Sequence, residues 1–371
     1  MAEIENNPQW EQGSEFHLLD QSLNSTHFAA PWDQNGLFYG SGRDAMKALL
    51  IFGMNTMGWK RLLVPAYFCQ TVVKALLETG ITVQCYRSWY PGEREENKHT
   101  CEVLNGDVVL AVNHFGLKRE ITLGFDISKA AAVIEDHTHD PFSSAAMKSG
   151  ADFCIASLRK TLPVPDGGVL WSPRNKALPV PPLLTAEHRL AAGEKLEAMR
   201  LKGLFLKGEI TDKSGYRTLF LSGEKNMSGG KISAISEWSA ENLGSFPVLE
   251  WREMRKQNYQ TLFDALSSLS YVTVLPSASE PGSVPFSCIL LFDRAERREF
   301  VRQKLIQKNI FPAILWSLEK PAIEGIPMEY IDAGKRMLSL HCDMRYSPTT
   351  MKYIAKCIKE SGDDFKDQQA A

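Results

Sequence analysis

Residues 130–171 read AAAVIEDHTHDPFSSAAMKSGADFCIASLRKTLPVPDGGVLW, and this stretch decides the fold. It holds three short apolar runs: AAAVIED (130–136), ADFCIAS (151–157) and GGVLW (167–171). Each is too short for a buried helix and lacks the polar alternation of a half-exposed strand, so each reads as a strand covered on both faces. Polar residues collect where the first two runs stop, Asp136-His137-Thr138-His139 after one and Ser157 through Lys160 after the other. In an open parallel sheet the carboxyl ends of the strands border one crevice, and ligands bind there.

The same pattern extends outward. RLLVPAY (61–67), ITVQCY (81–86) and DVVLAVN (107–113) are further buried-strand runs. Between them, Ala45, Met46, Leu49, Leu50 and Phe52 have helical spacing, and QTVVKALLETG (70–80) is a helix stopped by Gly80. Short strands alternating with helices predict an α/β fold with a large, mostly parallel sheet. Residues 173–245, with Pro179, Pro181 and Pro182 followed by helix-like and Gly/Ser-rich segments, read as a connection, irregular where Asn226 and Ser228 fall. From about residue 250 a long helix (251–269), strands SYVTVLP, PFSCILLF, IFPAILW and RMLSLHC, and helices 295–309 and 349–360 predict a smaller α/β domain. The expected organisation is an N-terminal arm (1–35), a large domain (36–248) and a small C-terminal domain (249–371).

Composition narrows the class. A chain of 371 residues that is 44% hydrophobic can bury a core large enough for more than one domain. Forty-two basic against 44 acidic residues leave no basic field for nucleic acid. The seven cysteines are odd in number, scattered and free of CxxC pairs, which argues against a disulfide framework or zinc site and for a reducing, cytoplasmic setting. The polar start MAEIENNPQWEQGSEF is not a signal peptide, and no apolar run is long enough to cross a membrane.

Asp136 and Lys160, each at the end of a predicted strand, suit pyridoxal 5'-phosphate. That cofactor needs a lysine to hold its aldehyde and shuttle the substrate's α-proton, and a carboxylate to keep its ring nitrogen protonated. Ser157, three residues before the lysine, can bond the phosphate; Arg159 either adds charge there or pairs with a surface carboxylate. The SxxK string also occurs in penicillin-binding proteins, but the SDN and KTG elements they need are absent. In FYGSGRDAMKALL, Ser41, Gly42 and Arg43 stand at a helix N-terminus, a ready phosphate site. Gly40-x-Gly42-x-x-Ala45 also matches a dinucleotide fingerprint, yet no strand is evident before it and the acid expected about twenty residues on is missing. His137-x-His139 has metal-ligand spacing, but His188 and His341 do not fall where further ligands belong, so no metal is expected. Tyr67 and Phe68 are candidates to stack on a cofactor ring or to pack in the core. Arg345, among His341, Asp343 and Tyr346, either binds a substrate carboxylate or forms a structural ion pair, the second being the stronger reading.

At these residues the sequence resembles the DegT-like sugar aminotransferases, fold-type I enzymes with the aspartate-aminotransferase architecture. The matching stretches are GSGRDAM, LLVPAYFCQTVV, AVNHFG, VIEDHTHDPFS, ADFCIASLRKTLPVPDGG, IFPAILW and LSLHCDMRY, spread from about residue 38 to 355. The resemblance implies a large pyridoxal-phosphate domain, Asp136 at the pyridinium, His139 as a polar group near the cofactor, Lys160 as the reactive lysine and Gly42-Arg43 as the phosphate loop. It further implies that Asn226 reaches across a homodimer to the neighbour's phosphate. The implied activity is amino transfer from an amino-acid donor to a keto acceptor such as a nucleotide-linked sugar. Lyase, racemase or dehydratase chemistry on the same lysine, and a non-catalytic binding protein, are the alternatives. The chain departs from the family pattern at Arg43, where Ser or Thr is usual, at Cys69, where an aromatic stacks, and at Ser157, where histidine is common.

Overall fold

The computed structural model describes all residues except 1–6, 8, 14, 20–27, 92–100, 118–120, 122, 276–282 and 371. The strands are β1 (Gln12–Gly13), β2 (Leu37–Tyr39), β3 (Arg61–Pro65), β4 (Thr82–Tyr86), β5 (Asp107–Val112), β6 (Ala132–Asp136), β7 (Phe153–Ser157), β8 (Gly168–Trp171), β9 (Val272–Leu275), β10 (Cys288–Phe292), β11 (Ile310–Phe311) and β12 (Met337–Leu340). The longer helices are α1 (Gly42–Thr56), α2 (Gln70–Leu77), α3 (Ala186–Leu206), α4 (Ser214–Ser228), α5 (Val248–Leu266), α6 (Ala295–Gln307), α7 (Met328–Arg336) and α8 (Pro348–Ala370).

Seven strands form one sheet in the order β2-β8-β7-β6-β5-β3-β4. The pairs from β4 to β7 are parallel, whereas β8 runs antiparallel to both β7 and β2. The unbroken apolar runs are explained by two covered faces. Leu62, Val64, Val108, Leu110, Phe153, Ile155 and Leu170 enter one core with Leu49 and Leu50 of α1. Their alternates enter others: Leu63 and Val109 pack with Tyr86, while Cys154, Ala156, Val169 and Trp171 pack with Met199 and Trp251. Each such fully buried aliphatic or aromatic side chain contributes roughly 1.5–3 kcal/mol. A period of two is therefore present, but both phases are apolar.

The C-terminal part has its own sheet, β12-β10-β9, antiparallel throughout. Leu290, Leu338 and Leu340 pack there with Leu262 and Leu266 of α5, Val301 and Leu305 of α6, and Met351 and Ile354 of α8 in a separate core.

Three expectations need correction. A strand does precede Gly40: β2 is three residues long, too short for periodicity to reveal, and pairs with β8 at the sheet edge. The supposed irregular connection is largely a helical hairpin, α3 packing on α4, and both Asn226 and Ser228 lie in the last turn of α4. IFPAILW is a strand only at Ile310–Phe311, since Pro312 has no N–H to continue a ladder. That short strand pairs in parallel with β1, so the N-terminal arm is fastened to the C-terminal part. The arm is also held by an ion pair at 2.9 Å between the buried Glu11 and Lys202 of α3.

Candidate active site

The strand register brings the site together. Val112 of β5 lies opposite Asp136 of β6, and Asp136 opposite Ile155 of β7. Ser157 lies opposite Gly168 of β8, which lies opposite Tyr39 of β2. Asp136, Ser157 and the start of α1 thus converge at one end of the sheet, as the topology of carboxyl strand ends requires. They line a cavity of about 490 Å³ together with Lys160, Arg159, His139, Thr138, Phe68, Trp316, Glu15, Glu224, Arg255 and the His341–Arg345 segment.

Asp136 is buried, and its Oδ1 accepts the Thr138 N–H at 2.8 Å, a turn closed by the aspartate itself. No cation pairs with it among the described residues, and burial raises its pKa. The Thr138 hydroxyl in turn accepts the Ser157 N–H at 3.0 Å, tying the ends of β6 and β7 together. Lys160 follows β7 in a single 3-10 turn and is exposed toward the cavity. Neighbouring Arg159 and the surrounding protein lower its pKa to about 8. A group with that pKa spends part of its time as a free amine near neutrality, as a nucleophile or proton carrier must.

At the start of α1, the Ser41 hydroxyl accepts the Asp44 N–H at 3.1 Å as an N-cap. Gly42 permits the approach of β7: a Cβ there would meet the Ser157 Cβ at 3.0 Å. Arg43 donates to Ser228 Oγ at 2.9 Å and pairs with Glu224 at 3.3 Å. Arg159 and Lys195 also pair with Glu224, each at 3.0 Å. Burial would raise the Glu224 pKa, but Arg159 and Lys195 hold it near 2. Glu15 is likewise held below its ordinary value, burial being outweighed by Lys195, Arg159 and Lys160. The four cations around these two acids leave this end of the cavity positive.

His139 is packed among rings, 4.7 Å from Phe286, 5.5 Å from Phe115 and 5.7 Å from Trp316, all nearly parallel to it. Its Nδ1 accepts the Phe115 N–H at 2.8 Å, and burial pushes its pKa to about 3, so the imidazole is neutral. Phe115 holds this contact from a left-handed backbone conformation (φ 57°), a strain that residues other than glycine adopt where the surroundings dictate it.

Two sequence candidates stand away from the cavity, and a third, Arg345, forms the ion pair that was its stronger reading. Tyr67 is fully buried behind the wall, its hydroxyl donating to the Leu315 carbonyl at 2.8 Å, and only Phe68 reaches the cavity lining. Asn226 does not line the cavity: its amide donates to Glu194 at 3.0 Å across the α3–α4 hairpin. Arg345 lines the cavity but clasps Asp343 with two bonds of 2.8 Å, the structural ion pair. His137 is enclosed, bonded to Glu135 at 2.9 Å, and lines no part of the cavity. Sequence reading missed Thr138, Trp316, Glu224, Glu15 and Arg255 as cavity residues. Thr138 sits within a quoted motif and was within reach; the others carry no local signal.

No protein-family model matches the chain, and no curated protein matches it. Solved structures do match in fold. Spr1654 from Streptococcus pneumoniae, described as a sugar aminotransferase and solved in its PMP form, has a TM-score of 0.62 at 13% identity, over 98% of this chain and 100% of its own. PseC from Helicobacter pylori, an aminotransferase involved in pseudoaminic acid biosynthesis, has a TM-score of 0.59 at 13% identity, over 96% and 100%. DesI, solved in the presence of its TDP-sugar product, has a TM-score of 0.58 at 13% identity, over 90% and 82%. The α/β architecture of this chain is the fold of these fold-type I aminotransferases.

Proposed function

We propose that the chain is a pyridoxal-phosphate-dependent aminotransferase, moving an amino group from an amino-acid donor to a keto acceptor of the nucleotide-linked sugar class. The observation that carries this is one cavity lined by both an accessible lysine of lowered pKa and a buried carboxylate with no cation of its own. The neighbours in fold include sugar aminotransferases in the PMP and PLP forms, which supports both the cofactor and the acceptor class.

The residues fit the cofactor. Asp136 would hold a protonated ring nitrogen, a pairing that offsets the cost of burying its charge. Lys160 would hold the aldehyde carbon, and Ser157 Oγ with the first N–H groups of α1 would hold the phosphate, in the positive end of the cavity. Phe68 and neutral His139 would border the ring. When bound, the cofactor supplies an electron sink that stabilises negative charge at the substrate's α-carbon. Lys160 Nζ would take the proton from that carbon, as the base the transfer needs. Trp316, backed by Phe115, and Phe286 wall the cavity with apolar surface and keep water from competing for the proton.

The organisation proposed with this reading is an arm (1–35), a cofactor domain (36–248) and a small domain (249–371), supported by separate cores on either side of the start of α5. A homodimer is proposed as the active unit. The most exposed apolar side chains, Leu183 and Val180 at 91% and 83%, fall with Leu190 and Leu221 in residues 180–221, surface suited to a partner. A cytoplasmic location is proposed from seven free cysteines. No helix among the described residues is long and apolar enough to cross a membrane.

The test is to load purified protein with pyridoxal phosphate, reduce it with borohydride and map the labelled peptide. Lys160 should carry the label, Lys160→Ala should lose the visible absorption band, and donor alone should convert the cofactor to its pyridoxamine form. A label on another lysine, or no conversion by any amino acid, overturns the proposal.

A further inference from the structure

Arg255 of α5 lines the cavity, within the electrostatic reach of Asp140 and Asp343. It is only 4% exposed, its Nε has no partner, and its guanidinium makes no hydrogen bond or ion pair among the described residues. A buried cation left this way is costly unless an anion completes it. The acids whose charge it feels are already engaged. Asp140 pairs with Arg252, and Asp343 is clasped by Arg345. Arg345 is further committed to the backbone carbonyls of Gly13 and Glu15. The cavity histidines bring no compensating or competing charge near neutrality, because burial lowers the pKa of His139 to about 3 and of His341 to about 4. Of the three guanidiniums near these acids, Arg255 is the one with no hydrogen bond or ion pair among the described residues.

We propose that Arg255 receives the carboxylate of the amino-acid donor, a role for which the sequence had offered Arg345. The inference rests on the aminotransferase reading for the identity of the ligand and on the geometry alone for the anion site. A planar guanidinium with free N–H groups matches a carboxylate with two parallel bonds.

The probe is glutarate, a dicarboxylate with no amino group to react, titrated calorimetrically into wild type, Arg255→Gln and Arg255→Lys, each with and without pyridoxal phosphate. Glutarate should bind wild type, and Arg255→Gln should weaken it by about ten-fold or more, the loss of at least one charge-assisted bond. Arg255→Lys should fall between, cofactor uptake should be unchanged, and the melting temperature of Arg255→Gln should not drop. Absence of binding by wild type, or equal binding by Arg255→Gln, overturns the inference. So does a lowered melting temperature in both variants, which would assign Arg255 to holding Asp140, whose Oδ2 has no partner either. Arg255-dependent glutarate binding by protein that takes up no pyridoxal phosphate keeps the anion site and sinks the aminotransferase reading instead.

Discussion

Lys160 and Arg159 are adjacent in sequence yet face different partners. Arg159 is buried against Glu224, while Lys160 opens to the cavity and feels the neighbouring positive charge. The arrangement makes Arg159 a device for lowering the pKa of Lys160, and its removal has a signed consequence. In Arg159→Gln the lysine's pKa should rise from about 8 toward its ordinary 10.5. Glu15 and Glu224, which already favour the protonated amine, reinforce that direction. The rate of pyridoxal-phosphate uptake between pH 7 and 10, followed by visible absorption, should have its midpoint near pH 8 in wild type and above pH 9 in the variant. Superimposable profiles would show that Arg159 does not set the amine's protonation. At this scale Asp136, Lys160 and Ser157 were legible because each directly follows an apolar run. The ion pair of Arg345 was legible too, its partner Asp343 being two residues away, whereas the contacts of Tyr67 and Asn226 were not, because each is decided by a partner remote in the chain: Leu315 and Glu194.

The positive end of the cavity depends on how closely two elements approach. Gly168 of β8 lies against the first turn of α1, and a Cβ there would stand 2.3 Å from the Ser41 carbonyl and 2.4 Å from the Gly42 nitrogen. These are backbone atoms, so no rotamer change relieves the clash. Gly168→Ala should therefore cost about 1–3 kcal/mol in urea unfolding and weaken pyridoxal-phosphate binding by displacing the α1 N-terminus. Gly193 in α3 provides the control, since a Cβ there meets nothing within 4 Å. Gly193→Ala should be neutral or gain up to about 1 kcal/mol from helix propensity. Equal effects of the two substitutions would show that close packing at Gly168 is not what places α1. Most strands and helices were readable from hydrophobic runs and caps. β2 was too short to show, and the α3–α4 hairpin was hidden because its polar, glycine-containing sequence has weak amphipathic contrast.

At the level of the whole molecule, the α3–α4 hairpin joins the cavity to an apolar exterior. Its inner side supplies Glu224 and Lys195 to the charged end of the site, while Leu190 and Leu221 are 63% and 74% exposed. Sedimentation should find a two-chain species, and Leu183→Glu combined with Leu221→Glu should shift it to single chains at micromolar concentration with the fold retained by circular dichroism. A fully active wild-type monomer would defeat the dimer proposal. Asn226 and Ser228 lie within α4, so their order is no argument for a partner. Exposed apolar surface is the argument that remains from the structure itself.

The sequence by itself determined the alternation of elements, the covered parallel sheet and the placing of Asp136 and Lys160 at strand ends. Those features follow from local rules: unbroken apolar runs demand burial on both faces, and polar residues at their ends must emerge where strands stop. Only the tertiary structure decided which charges are spent and which are free. Arg345 and Arg255 are the same residue type, and both line the cavity, yet one clasps Asp343 and the other has no hydrogen bond or ion pair among the described residues. The difference arises where β1, α5 and the segment after β12 come together, across more than three hundred residues of chain. Burial is a property that a run of residues carries with it, but charge compensation belongs to a pair, and the pair exists only once the chain has folded.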